Sequence, residues 1–178
     1  EEKIIKDVVV AASLKDGKLA LVYSNNTIEL QDMATSKTLF KEYLPLSLAN
    51  DTRITNPYFM GNLVLFPTLN GKVIIVSTIN FESIKNIAVD PDNEFNNIIS
   101  LNVIESSQTL IVASPNKIVS ISPKEVISKD YEVRDVIVNK DDIYVATIDG
   151  QIKKLTPNLN GIKISSKFAI NLYEIINP

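Results

Sequence analysis

Arg53 and Arg134 are the only arginines in the chain; lysine supplies the other 16 of its 18 basic residues. A guanidinium is planar, permanently charged and suited to bidentate contacts, and arginine is enriched among the residues that dominate protein interfaces. Both arginines are expected to open the first strand of a structural repeat and to present their charge to a protein partner. The alternative for each is an ordinary ion pair on the surface. Tyr58-Phe59-Met60 lies beside a loop and reads as an exposed aromatic group, with Tyr58 and Phe59 as interface anchors. The alternative is that these rings pack between sheets.

Other chemistries are poorly supplied. The chain has neither cysteine nor histidine, which removes thiolate and imidazole metal ligands, thiol nucleophiles, disulfides and histidine acid–base catalysis. Asp90, Asp92, Asn93 and Glu94 offer oxygen ligands but lack the glycine and spacing of a calcium loop, so they read as a polar turn. Asp141-Asp142 reads the same way, and no pair of carboxylates is placed to face another across a substrate. Asn25-Asn26-Thr27 and Asn50-Asp51-Thr52 match the glycosylation acceptor pattern, although Asn25 has its own reason to sit at a hairpin tip. The five glycines, at positions 17, 61, 71, 150 and 161, are isolated and form no phosphate-binding loop. No catalytic, cofactor-binding or metal-binding residue is assigned, and the chain is expected not to be an enzyme.

The net charge of −3, with lysines scattered along the chain, argues against nucleic acid as a partner. No apolar run reaches the roughly 18 residues of a membrane-spanning helix. The chain opens on Glu1 rather than Met, which leaves room for a secretion signal or a lipid-bearing cysteine upstream.

Four segments of similar pattern must position whatever the chain presents. Residues 62–77 read as an apolar run, the dipeptide Asn70-Gly71 and a second apolar run. Asn-Gly between β-branched runs predicts a hairpin with a type I′ turn. Residues 18–32, 108–122 and 142–156 repeat the unit around Asn25-Asn26, Pro115-Asn116 and Asp149-Gly150. The second turn residues, Asn26, Gly71, Asn116 and Gly150, are separated by 45, 45 and 34 positions. A period in this range with several short strands marks propeller blades. Each hairpin is flanked by a further strand before it (8–12, 53–59, 97–103, 133–139) and after it (38–43, 83–89, 126–131, 162–168). Helical periodicity is weak: the best window, 50–59, is interrupted by Pro57.

The fold expected is therefore all-β: a β-propeller of about four four-stranded antiparallel blades, with repeats near 8–50, 51–95, 96–131 and 132–170. The second strands read as continuous apolar runs, covered on both faces. The fourth strands carry Lys, Glu and Ser as exposed edges should. The arginines would then sit on the channel-facing strands. Residues 172–176 form one more candidate strand, which either closes the ring or opens a further blade. If the propeller is partial, a second copy can cover its terminal blades.

At these turns the chain resembles the quinoprotein-type (PQQ-like) β-propeller repeat: an apolar strand, a turn with glycine, a short strand ending in an acidic residue, then Thr-Gly-Lys leading to an aromatic. The run Thr27-Ile28-Glu29-Leu30-Gln31-Asp32-Met33-Ala34-Thr35-Ser36-Lys37-Thr38-Leu39-Phe40 follows it. Gly61-Asn62-Leu63-Val64-Leu65-Phe66 with Asn70-Gly71-Lys72-Val73 matches its first half, as do residues 141–150. Ser120-Ile121-Ser122-Pro123 departs by lacking the acidic residue, and no repeat has the family's tryptophan. The family holds PQQ-dependent dehydrogenases and also non-enzymatic scaffolds, such as the propeller lipoprotein of the bacterial outer-membrane barrel assembly machine. Without tryptophan or cysteine, and at this length, the resemblance implies a scaffold that binds proteins. Its place would be the periplasm or the periplasmic face of the outer membrane, with the cytoplasm as the alternative. The competing reading is a ligand-binding or PQQ-type enzymatic propeller with its site on the channel face.

Overall fold

The structure, a computed structural model, describes residues 7–47, 53–91 and 97–164, and all regular structure among them is β-strand. The chain divides into two compact units, Glu1–Ile98 and Ile99–Pro178. The first unit holds two sheets. Sheet one is β1 (Val9–Lys15), β2 (Lys18–Tyr23), β3 (Thr27–Asp32) and β4 (Thr38–Tyr43). Sheet two is β5 (Tyr58–Met60), β6 (Leu63–Pro67), β7 (Lys72–Ser77) and β8 (Ser83–Ala88). The second unit repeats the plan. Sheet three is β9 (Ser100–Ile104), β10 (Thr109–Ala113), β11 (Lys117–Ile121) and β12 (Val126–Asp130). Sheet four is β13 (Val133–Asn139), β14 (Asp142–Thr147), β15 (Ile152–Leu155) and β16 (Gly161–Ile164). Every sheet is an antiparallel meander in chain order, as short hairpin connections require.

The apolar runs become the second strands. All five residues of β10 are buried, and so are Val64–Pro67 of β6. A strand apolar on both faces needs a layer on each side. In the first unit Ala20, Val22, Ile28 and Leu30 of sheet one pack with Val64, Phe66, Ile74 and Val76 of sheet two. In the second, Ile104, Ile111, Ala113 and Ile118 pack with Val133, Val136, Ile143, Val145 and Leu155. Each fully buried Ile or Phe contributes about 1.5–3 kcal/mol relative to an exposed one.

The first strands need correction: β1 runs on to Lys15, past the expected 8–12. The first strands of sheets two and three are shorter than 53–59 and 97–103, beginning at Tyr58 and Ser100. Residues 53–57 adopt no regular structure, and Pro57, which has no N–H to give a ladder, directly precedes β5. The fourth strand of sheet four includes Gly161–Ile164; the rest of the expected 162–168, and residues 172–176, lie outside the described residues.

The turn type is also corrected. Gly71 has φ +72° while Asn70 stays in the ordinary region, so this turn is not type I′. Thr68 N donates to Lys72 O at 3.0 Å across it. In Thr147-Ile148-Asp149-Gly150-Gln151, Gly150 N donates to Thr147 O at 3.0 Å and Gly150 has φ +80°. This is a type I turn closed by a left-handed residue, the three-residue hairpin loop. Asn26, with φ +61° and its N–H donating to Tyr23 O at 2.9 Å, does the same in sheet one. A Thr side chain closes two of these loops: Thr68 and Thr147 each donate from Oγ1 to the oxygen of the Asn or Asp two positions on. The turn with both central residues at positive φ is Asp16-Gly17.

Asn26 is fully buried and ties two hairpins together. Its Nδ2 donates to Pro45 O at 2.8 Å, and its Oδ1 accepts from Leu69 N at 2.8 Å. Asn26→Ala is expected to cost about 2–4 kcal/mol, from two lost buried hydrogen bonds and a Cβ residue held at positive φ. Asn26→Gly should recover roughly 1 kcal/mol of that; urea denaturation of the three proteins checks both. At Gly161, a Cβ would lie 1.9 Å from Lys154 O. Gly161→Ala should therefore unpair β16 from β15, seen as lost hydrogen-exchange protection of residues 161–164 with sheet three unaffected.

Candidate functional site

The described residues offer two concentrations of polar side chains, one in each unit. The first is buried in sheet one. Glu29 lies on β3 opposite Leu21 of β2 and Lys41 of β4, and only 3% of it is exposed. Its carboxylate accepts from Tyr23 Oη at 2.9 Å, Gln31 Nε2 at 2.6 Å and Thr38 Oγ1 at 2.6 Å. Lys41 Nζ sits 3.2 Å away. Burial pushes the Glu29 carboxyl up, but the donations from Thr38, Gln31, Tyr23 and Lys41 outweigh it and hold it below its ordinary value. Burial, then the bond to Glu29, raises the Tyr23 phenol; burial lowers Lys41, but Glu29 more than compensates and raises it. The cluster is a satisfied buried charge that pins β2, β3 and β4 in register.

The second lies in the second unit, where chain economy creates it. Between β12 and β13 there are only two residues, Tyr131 and Glu132, which accounts for the 34-residue spacing. This connector is held from both ends: Tyr131 N donates to Asn116 O at 3.1 Å, Val133 N to Pro115 O at 2.7 Å, and Ile148 N to Glu132 O at 2.8 Å. Against it the β14–β15 hairpin forms a pocket of about 250 Å³ lined by Tyr131, Glu132, Thr147, Asp149, Gln151 and Lys153. Lys153 is on the core-facing side of β15, opposite Val145, and its Nζ lies 4.5 Å from the Tyr131 ring centroid, within cation–π range. Asp149 accepts from Thr147 Oγ1 and Gln151 Nε2. The Thr147 hydroxyl leads the contacts that hold its carboxyl below the usual range, and burial raises the Tyr131 phenol. Ile148, between two pocket residues, is 61% exposed.

Arg134 borders this pocket in the chain. Val133 pairs with Thr147 but Asp135 with Ala146, so Arg134 is the extra residue of a β-bulge, a device that re-aims a side chain. It is exposed. Arg53 does not open a strand, as expected of it, but is exposed in the segment ahead of β5. The two arginines belong to different units. Tyr58 and Phe59 are half-buried rather than exposed: Phe59, opposite Val64, packs against the core of the first unit. Asp90 is buried, and Asp92, Asn93 and Glu94 lie outside the described residues. No group of three or more acidic, His or Cys residues among the described residues is placed to hold a metal ion. The pocket residues carry no motif that would single them out, and the sequence reading missed them; the one signal that could have found them is the shortened third spacing.

Four consecutive antiparallel four-stranded sheets, the last strand of each leading to the first of the next, make this an all-β chain of the β-propeller class. It is similar to the propeller BamB from Moraxella catarrhalis, with a TM-score of 0.72 at 13% identity over 88% of this chain and 50% of that one. It is also similar to the computationally designed Ika4 protein, with a TM-score of 0.63 at 13% identity over 88% of this chain and 95% of that one. In sequence it is similar to the plasminogen-binding protein PgbB of Helicobacter pylori. For strain ATCC 700392 / 26695 the identity is 30% over 167 residues, 91% of this chain and 30% of the relative. For strain J99 / ATCC 700824 it is 30% over 165 residues, 90% of this chain and 30% of the relative. The chain thus spans about 30% of the length of the curated relatives it matches. No family model matches.

The Glu29 cluster makes a signed prediction. A carboxyl depressed in the folded state stabilises it above the unfolded value of about 4.3 and loses that contribution as pH falls through the folded value. Asp32 and Asp149 share that sign, so the variant Glu29→Gln is needed to separate them. The urea midpoint of the wild type should fall more steeply below pH ~4 than that of Glu29→Gln. Parallel curves would remove Glu29 from the effect.

Proposed function

We propose that this chain is a non-catalytic β-propeller scaffold that binds other proteins and works in the bacterial cell envelope. The observation that carries the reading is the 30% identity, over nine-tenths of the chain, to proteins named for binding plasminogen. The framework of antiparallel sheets supports it, and so does a composition without the histidine or cysteine on which much acid–base and nucleophilic catalysis depends. The fourth strands support it too. Tyr43, Ile84, Val126 and Ile162, one on each, are between 60% and 75% exposed, and an open strand edge with an apolar side chain suits an added strand from a partner. The envelope location follows the resemblance to propeller scaffolds and suits a relative whose partner is plasminogen.

The surface favoured for contact is the rim of the second unit, with the bulge residue Arg134 and the exposed Ile148. Immobilised chain should bind plasminogen with a Kd of about 10 μM or tighter. Arg134→Ala and Ile148→Asp should each weaken binding tenfold or more, as hot-spot residues do, while both variants stay folded by circular dichroism. Absence of binding at that concentration removes plasminogen-type recognition. Equal binding by all three proteins removes this rim as the contact surface.

A further inference from the structure

We propose that the Tyr131 pocket receives one cationic side chain, an arginine guanidinium or a lysine ammonium, carried by an extended segment of a partner protein. The carrier rests on the protein-binding reading; the cation chemistry of the site does not, and small probes test it alone.

Charge is the first argument. The pocket holds two carboxylates, Glu132 and Asp149, and one ammonium, Lys153. That ammonium lies over the Tyr131 ring, and among the described residues it forms no ion pair with either carboxylate. Asp149 is bonded by a hydroxyl and an amide, neutral donors that orient the group and leave its charge in place. Lys163 acts on Asp149 only as a Coulombic neighbour. The pocket lining therefore sets two carboxylates against one ammonium beside an aromatic face, with Lys163 as a further cation acting on Asp149 from outside the lining. An anionic ligand would meet two carboxylates for one ammonium.

The second argument is the ring. Lys153 shows that the face of Tyr131 in this pocket holds a cation, and an incoming guanidinium would compete for the same face. Size and setting agree. A volume of about 250 Å³ falls below the ~300–1,000 Å³ of sites for drug-sized ligands, so it suits one long side chain rather than a cofactor. Ile148 at the rim offers apolar surface to the aliphatic stem or to the next residue of the partner. The main-chain bonds from the connector to Pro115, Asn116 and Ile148 hold the walls in place before binding, which lowers the ordering cost.

The experiment is an amide-resolved NMR titration of the whole chain with N-acetyl-arginine amide, using N-acetyl-citrulline amide as the neutral isostere. The arginine probe should shift amides of residues 131–134 and 147–153, and the citrulline probe should not. Glu132→Gln with Asp149→Asn should abolish the response; both changes keep shape and remove charge. Lys153→Met removes the internal competitor and should tighten binding by about threefold. If the double variant does not fold, the comparison of the two probes on the wild type decides. No shift with the arginine probe at tens of millimolar, equal shifts with citrulline, or weaker binding in Lys153→Met would each overturn the proposal. A positive titration in a chain that ignores plasminogen would keep the cation site and discard plasminogen as the partner.

Discussion

A strand that is apolar on both faces cannot stand at a surface. Once residues 63–66 of β6 and 110–113 of β10 are written as unbroken apolar runs, those sheets must be covered on both sides. The cheapest cover is another sheet of the same make, because identical strand spacing and twist let side chains interdigitate. The paired cores follow, Val22 and Ile28 with Phe66 and Ile74 in the first unit, Ile111 and Ile118 with Ile143 and Val145 in the second. Turns, edges and pockets are arranged around that requirement.

Turn chemistry serves the stacking. Short connectors keep paired strands in register, and in the β2–β3, β6–β7 and β14–β15 hairpins the left-handed position is filled by Asn26, Gly71 and Gly150. A Thr hydroxyl closing the Thr68 and Thr147 loops satisfies groups that would otherwise be orphaned. Where the repeat is shortened, as between β12 and β13, the connector is pulled tight across two turns and leaves a pocket beside the β14–β15 hairpin. Function in such a fold collects where the repeat departs from its own period, because core positions are already committed to packing.

Glu29 illustrates the opposite tendency. A carboxylate inside a β-meander is costly unless every lone pair is engaged, and here one ammonium and three neutral donors from β2, β3 and β4 engage it. An ion pair of this kind specifies register more than it adds stability, since a slip of one residue would turn Glu29 to the other face and strand its partners.

The pattern of residues alone determined the class of fold, because apolar runs, turn formers and their recurrence at 45, 45 and 34 positions are local properties that follow directly from backbone sterics and side-chain type. The fourth strands β4 and β12 began where lysine and serine broke the apolar runs. What the local pattern could not reach was the turn geometry at Asn70-Gly71, since type I′ and the bulged type I loop favour the same residue types and differ in loop length and in the φ of the residue before the glycine. Nor could it place Phe59 in the core, where Val64 and the neighbouring sheet supply the apolar cover, or show that Glu29 meets four donors. Tyr131, Glu132, Asp149 and Lys153 come from two elements separated by more than ten positions. Only the tertiary structure brings them to one pocket, because pairing between strands, not adjacency in the chain, sets which side chains meet.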